Sequence, residues 1–156
     1  MKRLVIYVAV LAALFFVPVE RADIGKLHPV EVVHIYKEGE NVVIETDSQD
    51  VGIGETLEEA FADLKETTPG VIYLDTAEYL LISPDVEDAL PDLRGILSDD
   101  VQLCYAENKV DLKEAACFLP VHGRLPQLKA WEEGVELPYL TCFSKRLKMS
   151  KKGLDN

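Results

Sequence analysis

Residue types able to do chemistry are present in this chain, but their spacing brings few of them together. The three histidines, His28, His34 and His122, are scattered, with no carboxylate or cysteine at a helical offset that would hold a metal. His34 shares a strand parity with Val32 and Tyr36, the pattern of a packed or strand-edge histidine. Cys104, Cys117 and Cys142 contain no C-x-x-C pair and have no nearby histidine to activate a thiolate. An odd number of cysteines allows at most one disulfide within the chain, and the apolar runs around Cys104 and Cys117 point to buried free thiols. With 28 Asp and Glu, no single carboxylate pairing is informative, and the G-x-S-x-G, H-E-x-x-H and P-loop patterns do not occur. The expectation is a protein that is not an enzyme, with no catalytic, cofactor-binding or metal-ligating residues.

Two loops come nearest to a ligand site. Gly52-x-Gly54 ahead of a helix could cradle a phosphate on backbone N–H groups, yet Glu55, Glu58 and Glu59 stand in that first turn and repel an anion. A structural βα turn is the expected role. Asp47, Asp50 and Glu55 have the composition of a calcium loop without its ligand spacing.

The elements that must position these residues follow from periodicity. His28 to Tyr36 is apolar and β-branched, a turn follows over Lys37–Asn41, and Val42 to Thr46 resumes the pattern, which predicts a hairpin. Thr56 and Glu59 form a T-x-x-E capping box, so a helix starts there, with Leu57, Ala60, Phe61 and Leu64 as one buried stripe. Pro69-Gly70 ends it. Val71–Leu74 and Tyr79–Ile82 read as strands. Ser83-Pro84 then opens a second amphipathic helix carrying Val86, Leu90, Leu93 and Leu97, kinked or divided at Pro91. Val101–Ala106 alternates as a strand and Leu112–Leu119 reads as a third helix. Past Pro120 the pattern weakens: Leu125–Trp131 is a candidate last helix and Leu137–Phe143 a strand or extended segment. The order ββαββαβα predicts an α+β fold, a mixed α/β two-layer arrangement with a sheet of about five strands and helices mainly on one face.

Charge and hydropathy bound the setting. The run Leu4–Val19 holds 16 residues without a charge, preceded by Lys2 and Arg3 and followed by Glu20 and Arg21. Those flanks keep the N-terminus in the cytoplasm and place the rest of the chain outside. Cleavage after Ala22 would put Glu20 where a signal peptidase prefers a small residue, which favours an uncleaved anchor over a removed signal peptide. Residues 1–20 are therefore a signal peptide or membrane anchor, 21–144 one α/β domain, and 145–156 a basic C-terminal tail read as a solvated, frayed terminus. Between Glu20 and Ser144 there are 27 acidic residues against nine basic, so the body repels nucleic acid and anionic headgroups.

Residues 21 to about 119 resemble the N-terminal domain of the Ger(x)C family, the C-type subunits of nutrient germinant receptors of endospore-forming bacteria. The likeness is carried by Arg21–Leu27, by Gly52-Ile53-Gly54-Glu55-Thr56-Leu57-Glu58-Glu59-Ala60 with Thr67-Thr68-Pro69, and by the order of elements from Val71 to Ala106. The family's lipid-bearing cysteine and its two later domains have no counterpart here. The resemblance implies an extracytoplasmic assembly domain without catalysis, in which Gly52, Gly54, Thr56, Glu59 and Pro69 are structural. The expected function is a non-catalytic, membrane-anchored protein-interaction domain, with a secreted small-ligand or peptide-binding protein as the alternative. Expected partners are the membrane, through residues 4–19, and another membrane-associated protein. Trp131, Tyr139, Leu140 and Phe143 are the candidate contact residues, because aromatics concentrate where the helical pattern fades; core packing would also suit them.

Overall fold

The hairpin forms where apolar alternation places it, with Val32–Glu38 (β2) and Asn41–Thr46 (β3) antiparallel and Ile35 opposite Ile44. Gly39 takes a φ of 67° in the connecting turn. The computed structural model describes residues 27–106, 110–131, 134–143 and 146–150. The uncharged run Leu4–Val19 lies outside them, as do Lys145, Lys151 and Lys152; among the described residues no helix is long and apolar enough to cross a membrane.

The fold is α+β. Its main sheet has seven strands in the order β4-β3-β2-β6-β7-β8-β9. Here β4 is Val51–Gly54, β6 Tyr79–Ile82, β7 Gln102–Ala106, β8 Tyr139–Phe143 and β9 Arg146–Ser150. Strands β2, β6, β7 and β8 run parallel, β3 and β9 run against them, and the edge strand β4 pairs antiparallel with β3 and so shares the direction of β2. All four residues of β6 are buried, as expected of a central strand covered on both faces. Leu27–Pro29 (β1) and Val71–Tyr73 (β5) form a separate parallel pair, so Val71–Leu74 is a strand but not part of the main sheet.

One face of the sheet, with Val33, Ile35, Ile44, Leu80, Ile82 and Leu103, packs under Leu57–Thr67 (α1) and the 3₁₀ segment Pro84–Leu93, together with Leu128 of the short helix Leu128–Trp131. The other face, with Val32, Leu81, Cys104, Ala106 and Leu140, packs under Leu112–Phe118. We number Leu112–Phe118 α2 and Leu128–Trp131 α3. Helical segments thus lie mainly on one face, and α2 adds a third layer over part of the other. Burying these aliphatic side chains at about 25 cal/mol per Å² is the dominant stabilising term.

Several details depart from expectation. Val86, Leu90 and Leu93 are buried as the period required, but the segment is 3₁₀ and ends at Leu93, because Pro91 removes an amide donor from it. Ser83 makes no side-chain cap. Gly52-Ile53-Gly54 is a strand and not a turn. Residues 146–150 are not a frayed tail: they form β9, in which Leu147 and Met149 pack into the α2-covered core. Cys104 is fully buried, whereas Cys117 is exposed, since α2 turns Leu112, Ala115 and the following Leu119 inward.

Candidate functional site

The glycine motif is an architectural joint. A Cβ on Gly52 would collide with Ala60 O and come within 2.6 Å of Leu64 Cβ, and one on Gly54 would come within 2.5 Å of Ala60 N and 2.6 Å of Glu59 Cβ. Helix α1 therefore rests directly on the β4 backbone, which only glycine permits. Thr56 Oγ1 accepts from Glu59 N (3.2 Å), and Glu59 Oε2 accepts from Glu55 N (3.0 Å). The same helix closes the sheet edge: Ile53 N donates to Asp63 Oδ2 at 2.8 Å, and the Thr67 hydroxyl reaches Val51 O at 3.2 Å. Thr68, just ahead of Pro69, ends the helix with its N–H and its hydroxyl both on Leu64 O. The space over Gly52 and Gly54 is thus filled by α1 itself, and the cleft at the start of the helix is lined by Thr56, Leu57, Glu58, Pro91, Asp92, Arg94 and Ile96 instead.

The other chemistry-bearing groups have structural partners. Asp47 Oδ1 accepts from the N–H groups of Glu31 and Val32, and among the described residues no group of three His, Cys, Asp or Glu is placed to hold a metal ion. His34 is fully buried with its ring 4.8 Å from that of Tyr36, and His122 stacks on Phe118 at 3.8 Å. Burial pushes the Cys104 thiol up to about 12, which keeps it protonated and unreactive at neutral pH.

An aromatic-lined concave site lies beside β7. On the side of β7 away from β6, ahead of its pairing with β8, two proline carbonyls take up amides: Leu103 N donates to Pro126 O (2.7 Å) and Tyr105 N to Pro138 O (2.8 Å). Between these two contacts the chain makes an excursion that carries α3 and residues 134–137. It borders an open-sided cavity of about 360 Å³ lined by Glu87, Tyr105, Trp131, Gly134, Val135, Glu136, Leu137 and Tyr139. Tyr105 and Tyr139 are register partners on β7 and β8, with ring centroids 4.9 Å apart. Trp131 Nε1 donates to Glu87 Oε1 at 3.3 Å. Burial, followed by a hydrogen bond from its hydroxyl to Glu87, holds the Tyr105 phenol well above its usual range. Glu87 therefore accepts from Trp131, and among the described residues no Lys, Arg or His lines the cavity. Val135 and Glu136 also line a second cleft, together with His122, Arg124 and Met149.

Of the expected contact residues, the structure brings Trp131 and Tyr139 together at the cavity. Leu140 is a correction: strand alternation turns it to the opposite face, where it is 1% exposed in the core under α2. Phe143 ends β8, and its side chain lies outside the described residues.

Comparison with known proteins adds no relative. No family model, curated protein or solved structure matches this chain.

Sequence reasoning missed Glu87, Tyr105 and Glu136. The available signal was Tyr105 near the carboxyl end of a parallel strand, the end at which open α/β sheets place their ligands. Glu87 carried none, because its approach to Trp131 spans 44 residues.

Proposed function

We propose that this chain is a non-catalytic, membrane-anchored interaction domain held outside the cytoplasm, of the kind found at the N-terminus of Ger(x)C-family spore-germination proteins. The observation that carries the docking role is the cavity rimmed by half-buried Trp131 and Tyr139 and exposed Val135. The strongly acidic body suits a basic partner surface, which would gain in association rate and in discrimination against acidic proteins. The uncharged run Leu4–Val19 supplies the membrane tether.

Two measurements test this reading. In a C142S background, a membrane-impermeant maleimide applied to intact cells should label exposed Cys117; labelling only after lysis would remove the extracytoplasmic placement. A photo-crosslinking residue in place of Tyr139 should give one discrete adduct in membranes, with a Val71 control giving none; no adduct, or the same ladder from both positions, would remove the docking role.

A secreted small-ligand or peptide-binding protein is the second reading. The concave, partly apolar lining of the cavity favours it, in place of the glycine strand that α1 covers.

A further inference from the structure

The cavity beside β7 has a definite chemical character. Three aromatic side chains, Tyr105, Trp131 and Tyr139, share it with two carboxylates, Glu87 and Glu136, while Val135 and Leu137 supply aliphatic wall. Aromatic faces attract cations through the ring quadrupole, tryptophan most strongly, and the attraction grows when the cation is partly desolvated. The Glu87 carboxylate accepts from Trp131 Nε1, and among the described residues negative charge stands in the wall without a cationic side chain to neutralise it. An anion is repelled here, and a neutral apolar group would leave the carboxylates without a counter-charge. The volume of about 360 Å³ is at the small end of ligand sites and admits a compact head group.

We infer that this cavity is an aromatic cage that binds an organic ammonium group, with Trp131, Tyr105 and Tyr139 as its rings and Glu87 and Glu136 as its charges. The inference deepens the docking reading and rests on it for the source of the cation, a lysine side chain of the partner; a free quaternary ammonium compound has the same chemistry.

The test uses the single tryptophan as a site-specific reporter. The full-length chain is held in an uncharged maltoside detergent, since phosphocholine detergents carry the probe's own head group, and ionic strength is kept constant with NaCl. Choline and N-acetyl-lysine methylamide are titrated against Trp131 fluorescence beside 3,3-dimethylbutanol, the uncharged isostere of choline. A saturable change with half-saturation on the order of 1–10 mM is expected for the cations. Response to the alcohol should be at least about tenfold weaker. Glu87→Gln and Tyr139→Leu should each weaken cation binding about three- to tenfold with an unchanged circular dichroism melt. If choline alone binds, the cage stands and its source is a free cation; binding of the lysine analogue assigns it to the partner.

Absence of saturation overturns the proposal, as does an equal response to the alcohol. Ser150 is paired with Tyr139, and Lys151 and Lys152 follow it in the sequence, so these lysines are the competing occupant. A response that arises only after Lys151→Ala and Lys152→Ala also overturns it, in favour of the chain's own tail. Because the titration needs no partner, it can fail while the Tyr139 crosslink succeeds, and the reverse.

Discussion

The β4 edge of the sheet and the side of β7 that faces away from β6 are built on opposite plans. At β4 the helix descends onto bare glycine backbone, its side chains take up the outward Ile53 N–H and Val51 C=O, and no gap is left between helix and strand. Beside β7 the outward N–H groups are taken by two proline carbonyls, while the chain between them stands off and leaves an aromatic, acidic cavity. Both plans satisfy the backbone, as buried amides require. The second leaves space between the segments that satisfy it, and the side chains around that space are of the kind that recognise a ligand. A dense local motif here marks architecture, and a stretch with little pattern holds the candidate site.

The sharpest way to break this contrast is to enlarge a glycine. Gly52→Ala puts a methyl group against Ala60 O and Leu64, contacts that α1 can relieve only by moving away, so a loss of about 3 kcal/mol is expected in urea unfolding. A loss below about 0.5 kcal/mol would mean that the helix does not rest on the strand.

Alkaline pH probes the layer under α2. Cys104 has its pKa raised from 9.0 to about 12 by burial, so between these values the unfolded chain releases a proton that the folded chain keeps. Stability is then fully present below pH 9 and falls as pH rises, by up to about 1.4 kcal/mol per unit until the folded thiol titrates. Cys104→Val should flatten the unfolding free energy against pH by about one proton in that window. An unchanged slope would place the alkaline loss on other groups, buried Tyr79 and half-buried Tyr105 among them, whose pKa values are also raised.

Smaller effects sharpen the comparison. Thr56→Ala removes the cap on α1 and should cost about 1 kcal/mol, read as a shift in denaturation midpoint with an unchanged slope. Trp131→Phe should cost less than that, because Trp131 is half-buried and its hydrogen bond is long. Losing more stability at Trp131 than at Thr56 would make the cavity wall part of the structural core. Lys129→Ala removes the exposed pair with Asp100 and should leave the melting temperature unchanged within error.

The legible parts of the fold are those with short-range physical causes. The stripe Leu57, Ala60, Phe61 and Leu64 is buried as its period requires, and Thr56 caps where the capping pattern places it. Tyr79–Ile82 is buried throughout, as a continuous apolar run in a parallel strand should be. Strand β9 escaped notice because Arg146, Lys148 and the lysines after it gave the segment the composition of a solvated terminus, while Leu147 and Met149 alone carried its period. Of the candidate site, Trp131 and Tyr139 were legible as aromatics in a stretch of weak pattern. Leu140 shared that signal and lies on the other face, because the parity of β8 is set by its pairing with β7.

By itself, then, the sequence determined the class of fold, the hairpin, the glycine-bearing joint with its capped helix and the acidic balance of the body, since each is written in neighbouring residues or in composition. Tertiary structure alone decided which face each late residue meets, that the second face carries α2, and that Glu87 joins Tyr105, Trp131 and Tyr139 around one cavity. Those relations depend on strand register and on a crossover of tens of residues, and no local period encodes either.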